Sequence, residues 1–384
     1  MRFPEFSGEW TKIKLGDLGN FFSGGTPSSS RKDFYGGEIP FIRSGELHSD
    51  STALSITKEA YDSCSAKMVN KGDLLLALYG ATSGDISISR ISGAINQAIL
   101  CIRPQYMDAY FIKSLWEKHK KHILETYLQG GQGNLSSEII KNISFFFPNN
   151  DEQVKISRLI HIIDDRIETQ TKIIEELTTL RSALHQGIMS TGLEDGSWRM
   201  QTLAEVLYER TELNNEGHAV HSVSVSKGIV NQIEYLGRSF AAKDTSRYHV
   251  AYPGDVIYTK SPTGEFPYGI VKQSQISIKA ALSPLYGVYV PISPEIGYII
   301  HNHFLSAKNA LNYLHPLIQK GAKNTINITN QRFLQNSMPL PTNKNAALLY
   351  YNAIKTVSDK IILEEMVMEK FQSQKSFLLK TMFI

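Results

Sequence analysis

The sequence predicts an α+β chain in which two pseudo-repeated globular units are separated by two long helices packed as an antiparallel coiled coil. Three observations carry that expectation. The chain is written twice, each copy ends in a stripe of apolar residues at three- and four-residue spacing, and the stretches before the stripes mix short strand-like runs with amphipathic helix. At 384 residues the chain is also too long for a single compact core.

The duplication is legible residue by residue. Gly8-Glu9-Trp10 followed by Leu15-Gly16-Asp17-Leu18 recurs as Gly196-Ser197-Trp198 followed by Leu203-Ala204-Glu205-Val206, an offset of 188 (198 minus 10). Lys71-Gly72-Asp73-Leu74-Leu75 returns as Pro253-Gly254-Asp255-Val256-Ile257, and residues 129–134 return as residues 319–324. In the tails, Asp165-Arg166-Ile167 matches Asp359-Lys360-Ile361, and Arg181-Ser182-Ala183-Leu184 matches Lys375-Ser376-Phe377-Leu378. Each match is weak alone; five in one order are not.

Within the first globular region, residues 73–79 and 95–102 are short apolar runs bounded by Gly and Asn, as strands are. Residues 108–127 have helical spacing, with Tyr110, Phe111, Leu115, His119 and Ile123 on one side. The second region gives strands at 255–259 and 285–290 and a helix over 296–314. After Pro148, Asn150 with Gln153 three residues on reads as a capping box. Ile156, Ile160, Ile163, Ile167, Ile174, Leu177 and Leu184 then form a coiled-coil seam broken by Gln170 and Arg181. The second long helix follows Pro339 and Pro341, with Thr342 as its cap. Its seam is Tyr350, Ile354, Val357, Ile361, Met368, Phe371 and Leu378, with a polar break near Glu364. Neither stripe can be buried alone, so the helices are expected to pair through Ile160, Ile163, Ile167, Ile174 and Leu177 on one side and Ile354, Val357, Ile361, Met368 and Phe371 on the other. The resulting division is 1–148, globular; 149–190, helix; 191–341, globular; 342–384, helix.

Composition narrows the class of function. No apolar run of about eighteen residues is present, so no membrane span is expected, and the N-terminal residues lack the apolar core of a signal peptide. Cys64 and Cys101 give neither metal spacing nor a disulfide framework, which fits a reducing cytoplasm. Net charge is only +3, so a nucleic-acid surface would require segregated charge. Acids do gather in the helical segments (Asp164, Asp165, Glu168, Glu175, Glu176, Glu364, Glu365, Glu369), and loose cations lie outside them. Phosphate-loop, dinucleotide, His-Glu-x-x-His and Gly-x-Ser-x-Gly motifs are absent, as is the Asn-Pro-Pro-aromatic run of adenine methyltransferases. No catalysis is expected of the chain alone, and no metal.

Several polar loops remain. Ser23, Gly25, Thr26, Ser28, Arg31 and Lys32 lie in a hydroxyl- and glycine-rich loop; it is either a solvated turn or a phosphate cradle. Tyr79 and Thr82, with Lys260, Ser261 and Thr263 as their partial counterparts, follow expected strands; these loops either reach a groove edge or close hairpins. Gln132 and Asn134, and in the second copy Lys320, Lys323 and Asn324, sit before the long helices; they are adenine- and guanine-type readers or flexible glycine loops. Ser226 and Lys227 complete the second-copy candidates. The run Lys118-His119-Lys120-Lys121-His122 is a cationic helix face, either solvated or in contact with DNA.

Assembled, these features resemble the Type I restriction-modification specificity subunit, end to end. Pro4-Glu5-Phe6 to Trp10, Gly25-Thr26-Pro27 and Gly36-Gly37-Glu38-Ile39-Pro40-Phe41-Ile42-Arg43-Ser44-Gly45 are similar to its first signature, which adds Arg43 and Ser44 to the candidates. Lys71-Gly72-Asp73, Gly80-Ala81-Thr82-Ser83-Gly84 and Asn96-Gln97-Ala98 are similar to its central signature, which adds Gln97. The second copy departs from the pattern at Gly264-Glu265-Phe266-Pro267. The resemblance implies two target-recognition domains, each reading half of a bipartite site in double-stranded DNA. It also implies two methyltransferase subunits, which bring S-adenosylmethionine and flip the adenine, and optional restriction subunits. A helix of 35 to 40 residues would span roughly 50 to 60 Å, the length of roughly 15 to 18 base pairs. The rival readings are a coiled-coil scaffold that reads no DNA and an enzyme with a diverged active site.

Overall fold

The computed structural model describes residues 1–128, 134–237, 244–320 and 326–383, and the chain divides into two units. Unit 1 is Met1–Lys172 with Glu365–Ile384; unit 2 is Ile173–Glu364. Each therefore combines a globular part with a stretch of both long helices, Asn150–Asp195 and Lys344–Met382.

The two globular parts share a frame. In unit 1, Thr11–Lys14 pairs antiparallel with Ser144–Phe147; in unit 2, Trp198–Thr202 pairs the same way with Ser337–Pro341. A four-stranded antiparallel sheet follows in each. Its order is Gly19–Ser23, Ile99–Pro104, Leu74–Ala77, Ile86–Ile88 in the first and Leu207–Glu209, Gly287–Pro291, Val256–Tyr258, Val271–Gln273 in the second. The sheet identity explains the repeated Gly-Asp pair. Asp73 accepts the Asn70 N–H at 2.8 Å and grips Arg103 at 2.6 Å; Asp255 accepts the Tyr252 N–H at 2.8 Å and grips Arg210 at 2.7 Å. The intervening Gly72 (φ +98°) and Gly254 (φ +90°) take the left-handed conformation the turn requires. Outside the frame the units diverge. Unit 1 adds a second sheet containing Tyr35–Ile42 and Gly93–Ile95, which pair in parallel; unit 2 adds the hairpin of His221–Ser224 and Gly228–Asn231.

The elements expected from spacing are present, with boundaries set by capping. The expected run 95–102 is two strands, Gly93–Ile95 and Ile99–Pro104, parted where the Asn96 side chain accepts the Ala98 N–H. Helix Ala109–Tyr127 is capped by Asp108, whose carboxylate accepts the Phe111 N–H. The expected helix 296–314 is two, Pro294–His303 and Ala307–Leu314, because Ser306 caps a new helix rather than continuing the old one. Both long-helix caps fall one residue from expectation. Asn149, not Asn150, accepts the Glu152 N–H, and Asn343, not Thr342, accepts the Ala346 N–H. Thr342 instead bonds the Ser197 carbonyl, tying the strand pair to the helix. The first long helix runs on to Asp195 and stops at Gly196 (φ +76°).

The helices run antiparallel. In unit 1, Asp164 of the first meets Lys375 of the second, and the Arg166 guanidinium lies 5.8 Å over the Phe371 ring; in unit 2, His185 meets Tyr350. Ile160, Ile163, Ile354 and Ile361 are buried, while Ile167, Ile174, Leu177, Val357, Met368 and Phe371 are half-buried. Two aromatic cores complete the units. Trp10, Phe111, Trp116, Phe147 and Phe383 cluster with the first helix, and Trp198, Tyr258, Tyr289, Phe333 and Tyr350 surround the second. Among the described residues no helix is long and apolar enough to cross a membrane.

The buried polar groups differ between units. In unit 1, Asp164 is ringed by Lys113 (2.8 Å), Lys375 (2.8 Å) and the Tyr110 hydroxyl, and Glu117 joins both lysines (2.9 and 2.7 Å). Burial alone would raise Asp164, but the lysines outweigh it and hold the carboxyl below its ordinary range. Asp164→Ala removes one of the two carboxylates that the part-buried Lys113 and Lys375 share, leaving Glu117, and should cost about 1–3 kcal/mol in urea unfolding. Asp359→Ala breaks only the exposed Lys355 pair and should stay within about 0.5 kcal/mol.

Unit 2 buries histidines instead. Desolvation, with Arg181 acting on it, lowers His185 to about 4; desolvation, with Lys272 and then Arg181, lowers His301 to about 3; and burial, with His185, lowers His303 to about 3. All three lie below the ordinary histidine value, so the unfolded chain protonates first on acidification. The stability that these three groups give unit 2 should therefore be full above about pH 6.5 and fall progressively toward pH 4. Burial also lowers His48 and His119 in unit 1, but three histidines lowered to about 3 to 4 outweigh them, so amide-exchange protection between pH 7 and 4.5 should drop further in Pro294–His303 than in Ala109–Tyr127; equal loss would contradict this.

Candidate nucleic-acid interface

Strand register in unit 1 gathers several of the loop candidates at one end of the four-stranded sheet. Ser23 lies opposite Leu100, and Ala77 lies opposite Ile99. The chain therefore leaves the sheet at residues 24–31 and 78–84 on the side where Asn96-Gln97-Ala98 enters it. Backbone bonds close the cluster: Leu78 N–H to the Ala98 carbonyl at 2.8 Å, and Leu135 N–H to the Leu78 carbonyl at 3.0 Å. Ser23, Thr26, Tyr79, Gln97 and exposed Asn134 thus belong to one surface.

The glycines there serve packing. A Cβ on Gly24 would lie 1.7 Å from the Ile95 carbonyl oxygen, and one on Gly25 would lie 2.1 Å from Ser65 Oγ and 2.7 Å from its carbonyl carbon. Gly25 is buried and spends its N–H on the Ile95 carbonyl at 3.2 Å. This close approach sets Thr26 beside Gln97, whose side-chain carbonyl accepts the Thr26 hydroxyl. Both residues are exposed, so the Gln97 amide NH2 faces outward with its polarity fixed by Thr26.

The cations of the loop are mostly engaged. Arg31 holds Asp33 at 2.6 Å and Glu59 at 3.3 Å and lies over the Phe34 ring; Arg43 holds Glu46 at 3.0 Å beside half-buried Ser44. Lys32 is exposed, and no carboxylate among the described residues pairs with it. Ser28 shares its hydroxyl with Ser30 at 2.8 Å. Tyr79 packs against the unit 1 core, and half-buried Thr82 lies in a turn bounded by Gly80 (φ +75°) and Gly84 (φ +79°). The run 118–122 largely serves the interior of unit 1. Lys118 bonds the Phe383 carbonyl at 2.7 Å, Lys120 pairs with Asp85, and His119 stacks on Phe145.

Unit 2 presents the same sheet end with other chemistry. Tyr258 lies opposite Gly287, so Lys260, Ser261 and Thr263 leave the sheet where their counterparts do. Thr263 and Phe266 exchange backbone bonds at 3.0 and 2.9 Å, closing a tight turn. Burial lowers the half-buried Lys260 ammonium, with Glu209 opposing; Glu209 in turn accepts the Asn330 amide at 2.6 Å. Sequence reasoning did not find Glu209, Asn330 or Ser65, which carry no motif. Ser226 and Lys227 form the tip of the separate hairpin, and no hydrogen bond or ion pair among the described residues joins them to Lys260. Lys320 pairs with Ile326 in a short strand pair. Gln132, Lys323 and Asn324 lie outside the described residues.

The first surface therefore offers hydroxyls and amides, the groups that match base edges, on a backbone fixed by glycine packing. Gly25→Ala should lower unfolding stability by about 1–3 kcal/mol, because backbone must shift to admit the methyl. Ser28→Ala should change it by less than about 0.5 kcal/mol. Chemical denaturation of the two variants checks the contrast.

Comparison with known proteins bears on what such a surface is. Residues 7–179 match the family model described as the Type I restriction modification DNA specificity domain. The Type I restriction enzyme MjaIX specificity subunit of Methanocaldococcus jannaschii is 28% identical over 183 residues, 44% of this chain and 42% of that protein. The HindI specificity subunit of Haemophilus influenzae is 26% identical over 187 residues, 46% of this chain and 40% of that protein. The matches thus span less than half the length of these relatives. In fold, the S subunit of a Type I restriction-modification system from M. genitalium aligns over 100% of this chain and 99% of its own, with a TM-score of 0.63 at 13% identity. Residues 7–179 are thus similar to the Type I restriction modification DNA specificity domain, and the resemblance to the Type I specificity subunit read from the sequence is borne out.

Proposed function

We propose that the chain is the DNA-reading subunit of a Type I restriction-modification complex and is not itself a catalyst. Each globular unit reads one half of a bipartite duplex site, and the paired helices set the gap between the halves. The target-recognition domains are residues 1–148 and 191–341. Two methyltransferase subunits carry S-adenosylmethionine and the adenine chemistry, and restriction subunits are optional additions to the same scaffold. Cys64 and Cys101 are both free thiols, in keeping with work in a reducing cytoplasm. The observation that carries the reading is the repeated sheet end. Two copies of one frame expose different polar loops at the same place, Thr26 and Gln97 in one and Lys260 and Ser261 in the other.

The test is to map methylated adenines in DNA exposed to the chain with its methylation partner. A split motif with a fixed gap is expected. Replacing residues 1–150 by another recognition domain should change one half only. Adding one heptad to the first long helix, about 10 Å, should lengthen the gap by about 3 base pairs and leave both halves intact. Altered halves with an unaltered gap would refute the helical ruler. Absence of any salt-dependent duplex binding would favour a scaffold without DNA reading.

A further inference from the structure

The repeated frame lets each position at the sheet end of unit 2 be compared with its counterpart in unit 1. Glu209 lies opposite Tyr289, which lies opposite Val256, the residue after the Gly-Asp pair. In unit 1 the residue after that pair is Leu74, opposite Ile102, which lies opposite Phe21. The place of Glu209 is therefore that of Phe21. By the same register Tyr258 answers to Leu76, so Lys260 answers to Leu78. Thr329 caps the short helix Asn330–Phe333 as Ser136 caps Ser137–Asn142, which sets Asn330 against Ser137. Two of these places have changed from apolar to charged. Phe21 packs against the core of unit 1 and Leu78 is buried there, whereas Glu209 is exposed and Lys260 half-buried. Core burial calls for neither a carboxylate nor an ammonium, so the exchange answers a demand from outside the fold.

The strands bring these groups to one face. Side chains alternate along a strand, and Tyr258 and Tyr289 both stack on Phe333, with ring centroids 4.6 and 5.1 Å away. Glu209 shares that face, since its carboxylate accepts the Asn330 side-chain amide at 2.6 Å. Beyond Tyr258 the chain stays paired, the Thr259 N–H donating to the Ile270 carbonyl at 3.0 Å. Lys260 is therefore the next residue after Tyr258 on the same face. Asn330 is held in turn, because its backbone carbonyl accepts the Tyr289 hydroxyl at 3.2 Å. A carboxylate only accepts, so the Asn330 NH2 must be the group that faces Glu209. That contact fixes one carboxylate oxygen and leaves the other to bond outward. Lys260 makes no ion pair among the described residues, and burial lowers its ammonium against the pull of Glu209.

Such a pair of groups selects among base edges. A carboxylate at a DNA surface is repelled by phosphate and needs an amino group to bond. Adenine sets its amino group beside the N7 acceptor, which a carboxylate also repels, whereas cytosine offers N4 alone. An ammonium has donors only, and guanine presents two acceptors, O6 and N7, where thymine presents one. We propose that Glu209 and Lys260 read cytosine and guanine in the half-site of unit 2, with Asn330 as the positioning residue for the carboxylate. Glu209 accepts the cytosine N4 amino hydrogen, and Lys260 donates to guanine O6 and N7. These contacts rest on the proposed DNA reading by unit 2 and give it a base identity.

The test uses the full chain with its methylation partner. Methylation mapping gives the split motif, and exchange of residues 1–150 shows which half belongs to unit 2. That half should contain at least one G·C pair. Duplexes with 2-pyrimidinone in place of its cytosine, or 7-deazaguanine in place of its guanine, should each bind about tenfold more weakly. Glu209→Gln should erase the penalty for 2-pyrimidinone, and Lys260→Met that for 7-deazaguanine, each leaving discrimination at the other half-site unchanged. Asn330→Ala should shrink the cytosine penalty alone, which a general loss of fold would not do. A unit 2 half made only of A·T pairs, or penalties that persist in the variants, overturns these contacts while the DNA reading stands. Absence of salt-dependent duplex binding overturns both.

Discussion

A long helix with an apolar stripe cannot lie alone in water, and this chain has two of them. Everything else is arranged around covering those stripes. The first long helix buries Ile156, Ile160 and Ile163 against the aromatic core of unit 1; the second buries Tyr350 and Ile354 against that of unit 2. Farther along each helix the seam residues Ile174, Leu177 and Val357 are only half-buried. Each globular part is thus tied to both helices, and each carries its tryptophan, Trp10 or Trp198, to the same position against them. The repeat in sequence is a repeat in burial.

That periodic demand is why so much of the fold was legible. Alternating threes and fours specify the helical seams, and the Gly-Asp pairs mark the same strand entry twice. Local competition was less visible. Two asparagines stand at each helix start or next to it, and nothing in the pattern says that Asn149 rather than Asn150, or Asn343 rather than Thr342, will accept the free N–H. Likewise, apolar spacing continues through residues 296–314, while Ser306 turns the chain by capping its own helix. Periodicity reports which face is buried; it does not report where a side chain outbids the backbone for a hydrogen bond.

The candidate surface was legible in part, for a related reason. Residue type left the loop of Gly25 and Arg31 as either a solvated turn or a phosphate cradle; the space around Gly24 and Gly25 is filled by Ile95 and Ser65, and Arg31 holds Asp33 and Glu59. A glycine in a signature records a requirement for close approach as readily as a binding function. The contact that does bring two signatures together, Thr26 with Gln97, joins residues 71 apart, which no local pattern could pair.

Duplication followed by divergence accounts for what remains different. Frame strands must keep their register to bury their cores, so both units retain the same sheet order and an Asp at its turn clasped by an arginine, Arg103 from the strand Ile99–Pro104 in one and Arg210 after the strand Leu207–Glu209 in the other. Segments that leave the sheet end carry no such obligation. In unit 1 they became a hydroxyl and an amide held by glycine packing; in unit 2 they became a part-buried lysine with Glu209 and Asn330 beside it. A symmetric frame with unlike ends follows when one physical constraint, core burial, acts on the strands and not on the loops between them.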